Sequence, residues 1–224
     1  MSNIFSIAID GPAGAGKSVI AKAVARETGA MYLDTGAMYR TVALYFSRKG
    51  LAGNVEAIAE MANDMDIGVQ FVNGEQRMYL DGEDVTALIR SPEASMAASA
   101  VSAVPEVRKR LVRLQQETAK GVSIVMDGRD IGTVVLPDAT LKLYLTATVE
   151  ARALRRYGDL RKKGMLPKFH EVLDDLVERD YNDTHRSTTP LCQAEDAHYL
   201  DTTEMTEKQV IDEVNRLLKV AVGG

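Results

Sequence analysis

The stretch from Ile4 to Ala25 constrains the fold of this chain more than any other: IFSIAID, then GPAGAGKS, then VIAKAVA. The first piece is a short apolar run of the kind a buried strand shows. The last places alanines and β-branched residues at helical spacing, and Gly29 follows as a stop. Between them Gly11, Gly16, Lys17 and Ser18 satisfy G-x-x-x-x-G-K-[ST] in the strand-to-helix setting that this motif requires. Glycines allow the backbone to turn its N–H groups inward onto phosphate oxygens, helped by the positive end of the following helix. Lys17 is placed to reach β- and γ-phosphates as a point charge, and the Ser18 hydroxyl to ligate Mg²⁺. The segment Gly11, Pro12, Ala13, Gly14, Ala15, Gly16, Lys17, Ser18 and Val19 is therefore expected to cradle a nucleoside triphosphate, the alternative being a glycine-rich turn that binds nothing.

Composition narrows the partners. A net charge of −5 argues against a general nucleic-acid or membrane binder, and 46% hydrophobic residues provide for a large core. The single cysteine, Cys192, excludes an internal disulfide framework, and the three histidines lack metal-ligand spacing. MSNIFSIAID has no basic segment ahead of a signal-like core, so the cytoplasm is the expected compartment; the chain is read as a monomer.

Along the chain, strand and helix signals alternate. MYLDTGAMYR reads as a strand (Met31 to Leu33) turning through Thr35-Gly36 into a helix that ends at Gly50, and Asn54 caps a helix to about Ala62. The period then changes: residues 66–84 read as a hairpin about Asn73-Gly74. Ser91-Pro92 and Pro105 open two more helices, the second closed by Gly121. SIVMD and Leu141 to Thr146 are buried strands, Thr148 to Gly164 and Lys168 to about Asp183 are helices, and AHYLD is a last short strand. Thr206 and Gln209 form a capping box for the terminal helix. Such alternation around a phosphate loop implies an α/β doubly wound parallel sheet, and the hairpin implies an inserted subdomain.

The rest of the sequence divides this broad class. The N-K-x-D and D-x-x-G elements of a GTPase are missing. Arginines stand in polar stretches instead: Arg40, Arg108, Arg129, Arg152, Arg155, Arg156, Arg161, Arg179 and Arg186. Residues 150–163 hold six basic side chains against Glu150 and Asp159, which suggests a phosphate-facing lid, although Arg152 or Arg161 taken singly also fits a solvated helix face. Guanidinium groups bind phosphate bidentately and stay charged, which suits transfer of a phosphoryl group onto a second phosphate. Such an acceptor needs no general base; an alcohol acceptor would need a carboxylate aimed at its hydroxyl.

GPAGAGKS, LDTGAMYR, AASAV followed by PEVR, DGRDIGTVV and ERDYNDTHR, in this order, closely resemble the bacterial cytidylate kinase family over nearly the whole chain. Thr35 stands where some members have serine; both offer a hydroxyl. The resemblance implies a P-loop kinase with core 1–34, 105–149 and 167–224, a nucleoside monophosphate-binding insertion 35–104 enlarged by a small sheet, and a short lid 150–166. It implies ATP and Mg²⁺ at Gly11 to Ser18 as the donor site, with CMP or dCMP as acceptor. Thr35, Arg40, Arg129 and Arg179 then surround the acceptor phosphate, Ser99, Arg108 and Asp130 read cytosine, and Asp183 with Arg179 meets the pentose, with Arg186 at phosphate or sugar. Lys17, Arg129, Arg155, Arg156 and Arg179 become the catalytic set, Arg155 and Arg156 from the lid. Asp127 falls where a carboxylate would meet the metal through its waters, or is a turn aspartate capping Gly128. Asp130 has its own alternative, a structural partner of Arg129 or of a helix start. An acceptor such as UMP or dephospho-coenzyme A, and a non-catalytic nucleotide-binding regulator, remain the competing functions.

Overall fold

The computed structural model describes residues 4–223; the outermost positions of the expected core range, 1–3 and 224, lie outside the described residues. In chain order the elements are β1 (Ser6–Asp10), α1 (Lys17–Thr28), β2 (Met31–Asp34), α2 (Thr35–Arg48), α3 (Val55–Glu60), β3 (Ile67–Val72), β4 (Glu75–Leu80) and β5 (Glu83–Asp84). There follow α4 (Pro92–Ser102), α5 (Pro105–Ala119), β6 (Ile124–Gly128), β7 (Leu141–Thr146), α6 (Val149–Lys162), α7 (Phe169–His185), β8 (His198–Asp201) and α8 (Glu207–Gly223).

Five strands form one parallel sheet in the order β2-β6-β1-β7-β8. Alternation along β1 splits its apolar residues between two layers. Ile7 and Ile9 pack with α1 and α8 through Val24, Val214 and Leu218, whereas Ala8 faces α2 and α5 through Met38, Phe46 and Leu111. Helices thus cover both faces, as the doubly wound reading requires. Among the described residues no helix is long and apolar enough to cross a membrane.

The second core does not stop at the sheet. It continues from Leu33 and Met126 through α2 into Ile67, Met78 and Leu80 of a three-stranded antiparallel sheet, β3-β4-β5. Its first turn is the expected Asn73-Gly74, with φ of 53° and 78°. Its second is Asp81-Gly82, with φ of 50° and 81°, another two-residue turn of the kind that joins hairpins. β5 is therefore an extra strand that the single-hairpin expectation lacked. A π-helix over Ile131–Val135 was also unexpected. The amides of Ile131 and Gly132 donate to the Asp10 carboxylate at 2.8 and 2.7 Å, and this fixes the widened turn directly after Asp130.

Caps set the other boundaries. Asp34 accepts from Ala37 N–H, so α2 begins at Thr35 with no separate Thr35-Gly36 turn. Asn54 and Ser91 cap α3 and α4, and Thr206 and Gln209 bond reciprocally ahead of α8.

Candidate functional site

The first strand delivers the loop. A side chain at Gly11 would put its Cβ 1.9 Å from the Leu145 carbonyl oxygen on β7, at a φ of 145°, so only glycine fits there. Gly16 is left-handed at 89° and brings Lys17 in as the first residue of α1, whose opening turn has no side-chain cap and so presents the Lys17 and Ser18 N–H groups to an anion. Lys17 is buried and its Nζ donates to Pro12 O at 2.7 Å. Burial, and then the nearby Arg129 charge, hold the Lys17 ammonium well below the usual lysine range, opposed by Asp127 and Asp183.

Ser18 Oγ donates to Asp127 Oδ2 at 2.8 Å, and the buried Tyr32 hydroxyl donates to Asp127 Oδ1 at 2.7 Å. Asp127, at the carboxyl end of β6, is itself buried; burial and then Asp34 raise its pKa. Burial likewise raises the Tyr32 phenol. A hydroxyl and a carboxylate oxygen beside a phosphate cradle are the hard donors that suit Mg²⁺, which keeps waters and substrate phosphates as its other ligands. Among the described residues no group of three or more His, Cys, Asp or Glu is placed to hold a metal alone.

Beyond Lys17 and Ser18 the loop opens into a cavity of about 240 Å³. α2 brings Thr35 and Arg40 to it, α4 brings Ser99, and α5 brings Arg108. The turn after β6 adds Arg129 and Asp130, α6 adds Arg156, and α7 with the segment after it adds Arg179, Asp183 and Arg186. Cations outnumber carboxylates in its wall, seven to four. Arg129 Nε donates to Asp183 Oδ2 at 2.6 Å; burial opposes the arginine's charge, but Asp183 overcomes it and raises the pKa. Arg40 pairs with Asp34 at 2.8 Å.

At the inner end Arg108 bonds Asp130, donates to Ser102 O at 3.1 Å and lies over the Tyr39 ring at 5.4 Å. Burial pushes the Tyr39 phenol up to about 12. Arg186 Nη2 stands 3.8 Å from the other Asp130 oxygen. Neither structural alternative for Asp130 is found: Arg129 pairs with Asp183, and the following turn is held by Asp10. Asp127 does not cap Gly128; its side chain is taken by Ser18 and Tyr32, and its carbonyl accepts from Thr35 Oγ1 at 2.7 Å.

Four guanidinium nitrogens are buried without a hydrogen-bond partner among the described residues: Arg40 Nε, Arg108 Nε, Arg179 Nε and Arg186 Nη2. Burial, and then Arg129, push Arg179 down to about 10. Unpaired donors on arginines that line a cavity rich in cations are an arrangement that an anionic ligand can complete.

Two of the arginines in the segment expected to form a lid depart from expectation. Arg155 is not at the cavity: its Nη1 donates to Thr202 Oγ1 at 3.0 Å and its Nη2 to Thr202 O at 2.5 Å, because helical spacing turns it away from Arg156. Arg152 is no solvated face. It is buried, donating to Ala147 O and to Ala13 O of the phosphate loop, both at 2.9 Å, and pairing with Asp180 at 2.6 Å. Gly11, Pro12, Ala15 and Gly16 shape the loop without lining the cavity, and Val19 is largely exposed. The sequence reading missed Asp10, Tyr32, Asp34 and Tyr39. Only Asp34 had a local signal, an N-cap aspartate ahead of a helical apolar pattern.

The profile of the family described as Cytidylate kinase matches residues 7–220. The chain is 48% identical over 219 residues to a cytidylate kinase of Caldicellulosiruptor saccharolyticus, covering 97% of each chain. It is also 48% identical over 226 residues to a cytidylate kinase of Desulfitobacterium hafniense, covering 100% of this chain and 97% of that one. A crystal structure of an uncharacterized protein from Eubacterium ventriosum shares the fold at 12% identity with a TM-score of 0.52, covering 97% of this chain and 99% of that one. A phosphate loop facing a pocket of open guanidinium groups, and a profile that spans both, lead to one conclusion: the chain belongs to the cytidylate kinase family.

Proposed function

We propose that this enzyme transfers the γ-phosphoryl group of ATP to CMP or dCMP, giving ADP and CDP or dCDP. One observation carries the proposal: a single cavity has Lys17 and Ser18 at one end, the Arg108–Asp130 pair at the other, and open guanidinium groups between. ATP phosphates would lie on the loop amides and Lys17, and Mg²⁺ would be held by Ser18 and, through water, by Asp127, supplying charge neutralisation across the phosphates.

An oxygen of the CMP phosphate attacks the γ-phosphorus while the bond to the β–γ bridging oxygen breaks, and that oxygen leaves on ADP. The nucleophile is already an oxyanion, so no side chain need take a proton. Arg40, Arg129, Arg179 and Arg186, with Thr35, hold the acceptor phosphate in line, and Arg156 meets the transferring group. Arg155 would contribute only after leaving Thr202. Asp183 faces the pentose. Asp130 accepts from the cytosine amino group, Arg108 donates to its N3 and O2, and Ser99 completes the base site.

We divide the chain into core 1–34, 105–149 and 167–224, insertion 35–104 and lid 150–166, and take the enzyme to be a cytoplasmic monomer. The deciding measurement is ADP formation with CMP, dCMP, UMP and AMP as acceptors. CMP and dCMP are expected to dominate. A preference for UMP would overturn the base assignment, and no turnover with any of them would leave a nucleotide-binding regulator.

A further inference from the structure

Gln76 lies on β4 in register with Phe71, yet its side chain leaves its own sheet. Its Oε1 accepts from Asp34 N–H at 2.7 Å, and its Nε2 donates to Asp34 O at 3.2 Å. The reason is written in the edge of the larger sheet. β2 is an outer strand paired to β6, and Met31 N–H points inward to Ser123 O. Alternation therefore turns the N–H and C=O of Asp34 outward, to the free edge. A carboxamide carries the same donor and acceptor as a peptide unit, so Gln76 pairs with Asp34 as one residue of an added strand would.

The joint stands at a sensitive place. The Asp34 carboxylate caps α2 through Ala37 N–H at 3.0 Å and holds Arg40 at 2.8 Å, and Thr35 follows directly. Asp34 and Arg40 line both the 240 Å³ cavity and a neighbouring cleft of about 850 Å³ to which Gln76 contributes. The two sheets share no strand pairing among the described residues, so the Gln76 amide is a polar link from the inserted sheet to the main one.

We propose that Gln76 is a positioning residue that couples the three-stranded sheet to Asp34 and so sets Arg40 and Thr35 for the acceptor phosphate. The proposal rests on the acceptor site described above. It predicts a split between the two substrates, because the donor loop lies on β1 and α1 and has no bond to Gln76.

The test is steady-state kinetics of Q76M and Q76E, with amide exchange of Asp34 in the substrate-free protein. Q76M keeps the length and loses both bonds to Asp34, together with the one from Nε2 to Met78 Sδ; its KM for CMP should rise roughly tenfold while KM for ATP stays within about twofold. Q76E keeps the acceptor but sets a second acceptor against Asp34 O and a charge beside the Asp34 carboxylate, so its CMP defect should be larger. Asp34 N–H should exchange faster in Q76M, which has lost the oxygen that accepts from it. Should Q76M fail to fold, Q76A removes the same amide without repacking and is judged by the same criteria. Equal rises in both KM values, or a lowered Tm with KM for CMP unchanged, would overturn the proposal. Wild-type enzyme in the same assay keeps the two readings apart, since absence of CMP turnover there sinks the acceptor reading itself.

Discussion

On the proposed function, the two halves of the cleft would bind phosphate by opposite means. The donor half is one continuous loop whose donors are backbone amides, and its two charged or polar side chains are already engaged, Lys17 with Pro12 O and Ser18 with Asp127. The acceptor half is assembled from side chains on α2, α4, α5, α6 and α7, on the segment after α7 and on the turn after β6, and four of its buried guanidinium nitrogens have no hydrogen-bond partner among the described residues. Amide dipoles need no counter-charge, so a backbone cradle can be preformed inside a packed core. Clustered guanidinium groups repel, and Arg179 registers this: burial and Arg129 together push it down to about 10. An anionic acceptor relieves that repulsion, which ties order in this half to substrate binding.

The sharpest way to break the contrast is Lys17→Ala. Lys17 is the one side-chain cation of the donor loop, and burial and then Arg129 hold its pKa well below the usual lysine range. Its loss should lower kcat by roughly 10²–10³-fold or more, the scale for removing a preorganised charge from a transition state, while the fold survives. Single-turnover rates with a matched circular-dichroism spectrum check this. An unchanged kcat in folded protein would mean that the loop amides suffice without the lysine.

Asp130→Asn probes the acceptor half. An ionised carboxylate only accepts, so it suits the cytosine amino group and repels O4 of uracil; Arg108 only donates, so it opposes the uracil N3–H. A carboxamide can rotate to donate to O4 while its oxygen still accepts from Arg108. With mismatches at roughly 1–3 kcal/mol each, kcat/KM for CMP should fall and the CMP-to-UMP ratio narrow about tenfold or more. If CMP activity falls and the ratio stays fixed, Asp130 orders the site without reading the base.

The same contrast explains what could be read from the chain. Gly11, Gly16, Lys17 and Ser18 were legible because the loop is local: neighbouring residues meet one ligand, and their spacing states the geometry. The strands other than β5, the Asn73-Gly74 turn and the caps at Asn54, Ser91 and Thr206 were legible for the same reason. The acceptor residues came only through family motifs, since Arg108 and Asp130 are 22 positions apart and Arg129 and Asp183 are 54 apart. Arg155 shows where helical spacing was insufficient. Basic residues crowd 150–163, but which of them faces the cavity depends on how α6 packs on α7 and on Thr202, contacts that no local pattern contains. The π-helix is a tertiary effect too, imposed by Asp10 from 121 positions away.

Asp10 sits where the halves join: it ends β1 directly before Gly11, and its carboxylate holds the turn directly after Asp130. Burial raises its pKa to about 6 against a usual value of 3.8, although the Ile131 and Gly132 amides pull it down. The sign is unlike that of a paired surface aspartate. The folded state holds the proton more tightly than the unfolded chain, so Asp10 contributes most to stability below about pH 4, and that contribution is lost as pH rises through 6. Other groups titrate in this range, so the informative quantity is the difference between wild type and Asp10→Asn. The variant cannot ionise and carries the same amide mismatch at every pH, which cancels when two pH values are compared. Melting both proteins at pH 4.5 and 7.5 should show the variant gaining on wild type at the higher pH. The expected gain is about 1–2 kcal/mol, or a few degrees in Tm, below the full shift because the unfolded chain's carboxyl is already mostly ionised at pH 4.5. A difference independent of pH would mean that Asp10 is already ionised at pH 4.5, with its two amides outweighing burial, and the junction would then be as settled electrostatically as the donor loop beside it.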